Sequence, residues 1–161
     1  VATGVGGLGT ATSALTIQQA TTSSTPQGYA ERAVYTFTFS RPVTNLRFTV
    51  TDLDSNDNDF WDAVQLVAPT PTSVTRTDPT YLQARTADSR GNPVSPGYFR
   101  TTTDDAAIGN ASSRGNLQVS YAGTLSSFQL VYFNDATSFS PEIDTSQVIF
   151  VTDFLFDYQP C

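Results

Sequence analysis

No stretch of ten or more residues in this chain keeps its apolar side chains at helical spacing, whereas short runs alternate apolar and polar residues along most of its length. Period-two alternation bounded by Gly, Pro, Asn, Asp and Ser is the mark of β-strands with one face on a core. Residues 33–40 carry Tyr35, Phe37 and Phe39 on one face and Val34, Thr36 and Thr38 on the other. Residues 43–52 turn Leu46, Phe48 and Val50 inward and Arg47, Thr49 and Thr51 outward, with Arg41-Pro42 and Asn45 marking a bend or short hairpin connection between the two runs;. Residues 117–121 and 128–133 alternate in the same way, and 15–19 reads as an edge strand. Residues 148–158 are apolar on both faces, the pattern of a central strand covered on both sides, and Asp153 interrupts them where burial should be deepest;.

Residues 1–12, rich in Gly, read as flexible, and 68–115, rich in Pro and Thr, as a loop-rich insertion with strands at 80–86 and 98–102. At 161 residues the chain fits one domain, spanning 1–161, that can bury roughly 70% of its unfolded surface;. Seven to nine short strands in such a length, roughly one per turn signal, make an all-β, two-sheet antiparallel β-sandwich of jelly-roll or immunoglobulin-like type.

Between the second of these runs and the next lies the densest chemistry in the sequence, Asp52-Leu53-Asp54-Ser55-Asn56-Asp57-Asn58-Asp59-Phe60-Trp61-Asp62. Five aspartates and two asparagines in eleven residues, without one Lys or Arg, repel one another unless a cation or protons neutralise them;. Hard oxygen donors at this density are what calcium takes, six to eight at a time. An EF-hand loop beginning at Asp52 requires Gly where Asp57 stands and Glu where Ala63 stands, so that form is excluded;. A site at a sandwich rim remains. Asp52 and Asp54 share parity with Leu46, Phe48 and Val50, and Asp62 shares a face with Val64 and Leu66, so two strands bring carboxylates to one edge. The expected ligands are Asp52, Asp54 and Asp62, joined by Asp153 and by one of Asp57, Asn58 or Asp59. The plainer reading is a solvated acidic loop in which Asp and Asn serve turns.

The run Phe39-Ser40-Arg41-Pro42-Val43-Thr44-Asn45-Leu46-Arg47-Phe48-Thr49-Val50-Thr51-Asp52-Leu53-Asp54, followed by Asp62-Ala63-Val64, resembles a domain of secreted and cell-wall-anchored bacterial proteins that carries a T-D-x-D motif. Val151-Thr152-Asp153-Phe154-Leu155-Phe156 is loosely similar to that family's last strand. The resemblance covers about two thirds of the chain. It implies an adhesin-like β-sandwich repeated in large surface proteins, structural or binding in role, and no enzyme. Residues 68–115 depart most from the family.

Composition narrows the function classes. With no His and no Lys, the usual nucleophilic triads and zinc sites lack their base or ligand;. Two carboxylates suffice for glycoside hydrolysis, but neither Glu31, Glu142 nor the Asp104-Asp105 pair carries a signature of one;. Eight scattered arginines against a net charge of −7 argue against nucleic acid, which needs clustered cations, and no run reaches the roughly 18 apolar residues of a membrane span;. Cys161, the single cysteine, has no partner for an internal disulfide;. Trp61, Phe60, Tyr81 and Tyr98 stand in or beside loops and are the rings best placed to stack on a glycan;. The sequence therefore reads as a non-catalytic, calcium-stabilised, extracellular module, secreted or cell-wall attached and part of a larger multidomain chain. Its role is adhesive or stalk-like, with a glycan or a cell-surface protein as partner. A carbohydrate-binding module of a polysaccharide-active enzyme is the alternative, with a hydrolase behind it.

Overall fold

The computed structural model describes residues 1–19, 28–138 and 147–158. Cys161 and Glu142 lie outside them. Among the described residues twelve strands form: β1 (Ala2–Thr3), β2 (Ser13–Gln19), β3 (Ala33–Thr51), β4 (Ser55–Asn56), β5 (Phe60–Val67), β6 (Ser73–Arg76), β7 (Leu82–Ala87), β8 (Pro93–Thr101), β9 (Leu117–Tyr121), β10 (Leu125–Asn134), β11 (Gln147–Thr152) and β12 (Leu155–Asp157). Every pairing between them is antiparallel, and the all-β architecture expected from the alternation is the one that forms.

Strand β3 organises the molecule. Its first half pairs with β10, from Ala33↔Tyr132 to Thr38↔Ser127, in a sheet that continues through β5 and β8 to β7. Its second half pairs with β9 on one edge and with β11 and β12 on the other, in a sheet that continues through β2 to β1 and through β9 to β6. The two runs read at 33–40 and 43–52 are thus one bent strand, not a hairpin. The register against β10 shifts between Thr38 and Val43, the stretch that holds Arg41-Pro42, and Asn45 takes a positive φ of 54° that its short amide side chain tolerates;. A strand that changes sheets at a bend is a known way to make a corner between two layers.

The main core lies between the layers, where Leu46, Val50, Leu53, Val64, Leu117, Phe128, Leu130, Tyr132 and Ile149 are completely inaccessible. Each such aliphatic or aromatic side chain contributes about 1.5–3 kcal/mol by leaving water. Two smaller clusters cover the outer faces. Tyr29, in a 3-10 turn at Gly28–Glu31, caps Ala63, Val131 and Phe133, while Val5, in a 3-10 turn at Val5–Gly7, covers Ala14 and Phe150. Central strands β10 and β11 are therefore buried on both faces, as their two-sided apolar pattern requires.

Three details differ from the sequence reading. Residues 1–12, read as flexible, pair β1 with β2 and bury Val5 to 2% exposure, because the outer face of β11 needs a cover. Residues 68–115, read as loop-rich with strands at 80–86 and 98–102, contain β7 and β8 at those places and also β6, which the reading leaves as loop. The apolar run 148–158 splits at Asp153, and its second part, β12, is exposed along its whole length.

Candidate functional site

The Asp-rich segment divides into a turn and a buried corner. Strands β4 and β5 form a hairpin with Ser55↔Trp61 and Asn56↔Phe60 in register, which leaves Asp57, Asn58 and Asp59 as a three-residue loop. Asn58 takes φ 57°, the Asp59 N–H donates to the Asn56 carbonyl at 3.1 Å, and the Asn58 amide donates to Asp57 at 2.9 Å. This is the turn chemistry that Asp and Asn favour. Asp57 is exposed, whereas Asp59 is buried to 2% and its carbonyl accepts the Asn134 amide.

Asp52, Asp54 and Asp62 are all buried, at 7%, 8% and 0% exposure. Asp52 follows the last residue of β3 with φ 68°, and this kink sends Leu53 into the core, where strand parity would have kept it out. The kink is held from the far side by Gly115. The Leu53 N–H donates to the Gly115 carbonyl at 3.2 Å, and a Cβ on Gly115 would stand 2.6 Å from the Leu53 carbonyl oxygen.

Asp54 and Asp62 face each other across the hairpin. The Asp62 N–H donates to the Asp54 carbonyl at 3.0 Å, and the Asp54 N–H donates to Asp62 Oδ2 at 3.2 Å. Tyr132 Oη donates to Asp62 Oδ1 at 2.6 Å, and the Ile108 N–H donates to Asp54 Oδ2 at 3.0 Å. Asp52 Oδ1 is buried and accepts no hydrogen bond.

None of the three takes part in the ion pairs of the described residues, which are Arg100–Asp135 and Arg114–Asp78. Burial accordingly lifts the Asp52 carboxyl to about 7, with the neighbouring Asp54 charge adding to it. Burial also raises Asp54, against the Ile108 N–H and a hydrogen bond with Asp62 that favour its charge. Asp62 is raised well above the ordinary carboxylate range by burial and by Asp54, against hydrogen bonds from Tyr132 and Gln147. Deprotonated and without a cation, the corner opposes folding.

Among the described residues, no group of three acidic side chains is arranged to hold a metal. Asp62 has both oxygens engaged within the protein, so it braces β5 against β10 more than it offers a ligand. Asp52, with a buried oxygen that accepts no hydrogen bond, and Asp54 beside it are what remains for a cation. Asp153 is not part of the corner. It follows the C-terminal end of β11, is exposed, and accepts the Ser13 N–H at 3.2 Å, while Gln147 at the other end of that strand reaches Asp62. Burial was expected there because the run looked continuous, but the strand breaks at this residue.

The rings expected to stack on a glycan lie mostly inside. Trp61 is 8% exposed, with the Arg100 guanidinium 3.5 Å above its ring. Tyr98 is 1% exposed and donates to Asp135 at 2.5 Å; Tyr81 is 5% exposed, bonded to the Ala106 carbonyl and covered by Arg114. Phe60 is half-buried.

Sequence reading passed over a second polar cluster. Asp135 accepts Arg100 Nη1 at 2.5 Å and the Ser89 N–H at 2.8 Å, and its own N–H donates to the Trp61 carbonyl. It also passed over Tyr132 and Gln147. The available signal was the pair Asn134-Asp135 directly after an apolar strand, where a polar pair ends the strand by bonding to its neighbours. Clefts of about 490 and 390 Å³ open elsewhere, on the outer face around Arg47 and Gln118 and between β6 and β8, and Asp52, Asp54 and Asp62 line neither. No described helix is long and apolar enough to cross a membrane. Compared with known proteins, the chain matches no family model, no curated sequence and no solved structure.

Proposed function

We propose that this chain is a non-catalytic, extracellular β-sandwich module of a bacterial surface or secreted protein, adhesive or stalk-like in role, whose acidic corner binds calcium weakly and is stabilised by it. The observation that carries the reading is Asp52: a carboxylate 7% exposed, without a hydrogen bond on Oδ1, beside a second buried carboxylate and paired with no arginine. Such a group favours whatever neutralises it, and at neutral pH outside a cell the abundant divalent candidate is calcium. With Asp62 committed to Tyr132 and to the Asp54 N–H, protein carboxylates supply only part of a calcium shell. That places the affinity at the weak, extracellular end of the range, a Kd of roughly 10⁻⁴–10⁻³ M. The resemblance of residues 39–54 to secreted and cell-wall-anchored domains supports the compartment.

The role of the ion is in folding. At a tenfold excess over Kd, linkage stabilises the native state by about 1.4 kcal/mol. The test is thermal unfolding at pH 7.5 in chelator and in millimolar Ca²⁺, with Asp52→Asn and Asp54→Asn as controls. A rise in Tm with Ca²⁺ that both variants abolish is expected. Equal Tm in chelator and in Ca²⁺ for the wild-type chain refutes the calcium site.

A further inference from the structure

Of all aromatic side chains among the described residues, only Phe156 and Tyr158 are more than about a third exposed, at 40% and 63%. They are not scattered. Together with Phe39, Ser40, Arg41 and Val43 they line a cleft of about 230 Å³ beside the bend of β3, at the other end of that strand's second half from Asp52. The Phe39 and Phe156 ring centroids lie 5.6 Å apart with planes at 63°, and those of Phe156 and Tyr158 lie 6.5 Å apart, also at 63°. The rings are therefore inclined to one another and not stacked. Behind them Phe39 packs on Phe128 and Phe154, so the innermost wall is anchored in the core.

Ser40, Arg41 and Tyr158 add polar groups to the lining. Beside it, the Asn45 amide donates to Asp157 at 2.7 Å and ties β12 to the bend. Aromatic walls with hydroxyl-bearing residues in the lining fit a ligand that is apolar on its ring face and hydrogen-bonding at its edge;. A saccharide ring has that character; an acyl chain lacks the edge. The chain's charge of −7 disfavours both acidic glycans and a second copy of itself;. A three-residue strand such as β12 is also a short template for adding a peptide strand;.

We infer that the cleft formed by Phe39, Phe156 and Tyr158 is a binding site for a neutral saccharide. Nothing in this site depends on a cation, so it stands or falls separately from the acidic corner. The probes are cellohexaose, xylohexaose, mannohexaose and chitohexaose, titrated calorimetrically into the chain once in chelator and once in Ca²⁺. At least one should bind in both conditions. Tyr158→Ala, which removes an exposed ring and leaves the core intact, should weaken that binding about tenfold, equivalent to about 1.4 kcal/mol, with Tm unchanged. Phe156→Ser should do the same, and Trp61→Phe should leave binding as it is. Absence of binding by all four probes at millimolar concentration overturns the inference, as does binding that Tyr158→Ala leaves untouched. Concentration-dependent dimerisation that Tyr158→Ala abolishes overturns it in favour of an interface between copies of the chain.

Discussion

Replacing Asp52 by Asn removes one titrating group from a buried corner and should flatten the way stability depends on pH there. Asp52 titrates at an ordinary carboxylate value in the unfolded chain and at about 7 in the folded one, so the native state holds its proton more tightly. A group raised in this way contributes stability that is fully present below the unfolded pKa and lost as pH rises through the folded one. Each tenfold difference in proton affinity between the two states is worth about 1.36 kcal/mol, so ionising Asp52 costs the fold on the order of 4 kcal/mol by pH 8. Part of that loss is already incurred at pH 5, where the unfolded carboxylate is ionised and the folded one is not. Between pH 5 and pH 8 the remaining loss is about 2–3 kcal/mol.

Asn carries no charge in either state. Whatever fixed difference its amide introduces is the same at both pH values and cancels when the two are compared. The assay is urea unfolding in chelator at half-unit steps from pH 5 to pH 8, for wild type and Asp52→Asn. The expected result is a stability difference that moves by about 2–3 kcal/mol in favour of the variant as pH rises. Asp54 and Asp62, also raised by burial, leave a residual slope of the same sign in the variant. A difference that stays constant across this window, or that moves in favour of wild type at high pH, refutes the reasoning that Asp52 is buried without a counter-charge. Millimolar Ca²⁺ should flatten the wild-type curve at its upper end, because the ion takes the place of the proton.

Tyr132→Phe removes the hydroxyl that holds Asp62 Oδ1 and leaves a fully buried carboxyl oxygen without its donor; chemical denaturation should show a loss of about 1–3 kcal/mol;. Gly115→Ala forces a Cβ against the Leu53 backbone at the kink of β3, and a shift of Tm downward by several degrees is expected, with a wild-type Tm counting against the close approach;. Asp135→Ala strands the buried Arg100 guanidinium, and denaturant unfolding should show a loss of about 3–5 kcal/mol; a neutral result would mean that Arg100 reaches solvent;.

How much of this was legible in the sequence depended on the range of the interactions involved. Strands such as β9 and β10 were readable because side-chain alternation is local, and the two-sided apolar pattern of β11 announced a central strand. The continuity of β3 through Arg41-Pro42 was not readable, since it rests on pairing with β10 before the bend and with β9, β11 and β12 after it. Burial of the rings followed the same rule. Trp61 and Tyr98 look like loop-side aromatics in sequence, and only the packing of β5 against β8 and β10, with Arg100 and Asp135 brought in from afar, makes them interior. Conversely, Phe156 reads as core by its apolar neighbours and lies at the surface because β12 is an unshielded edge.

The acidic segment shows why the density of a residue type is a weaker guide than its register. Aspartates in the same eleven-residue run do opposite jobs, with Asp57 in a solvated turn and Asp54 and Asp62 inside the protein. What separates them is the three-residue loop at Asp57, Asn58 and Asp59, which Asn58 permits by adopting a left-handed conformation. With that loop, Ser55 pairs with Trp61, and one step further along the ladder Asp54 stands opposite Asp62. Like charges directly across a ladder are destabilising, and a pairing slipped by one residue would relieve them by sending one carboxylate to the other face. The slip would also turn Trp61 away from Arg100 and Val64 out of the core, so the hydrophobic register prevails and the two carboxyls stay together. A charge conflict imposed by the core in this way can be relieved in place by a proton or a cation, and this is the physical ground for reading the corner as a site at all.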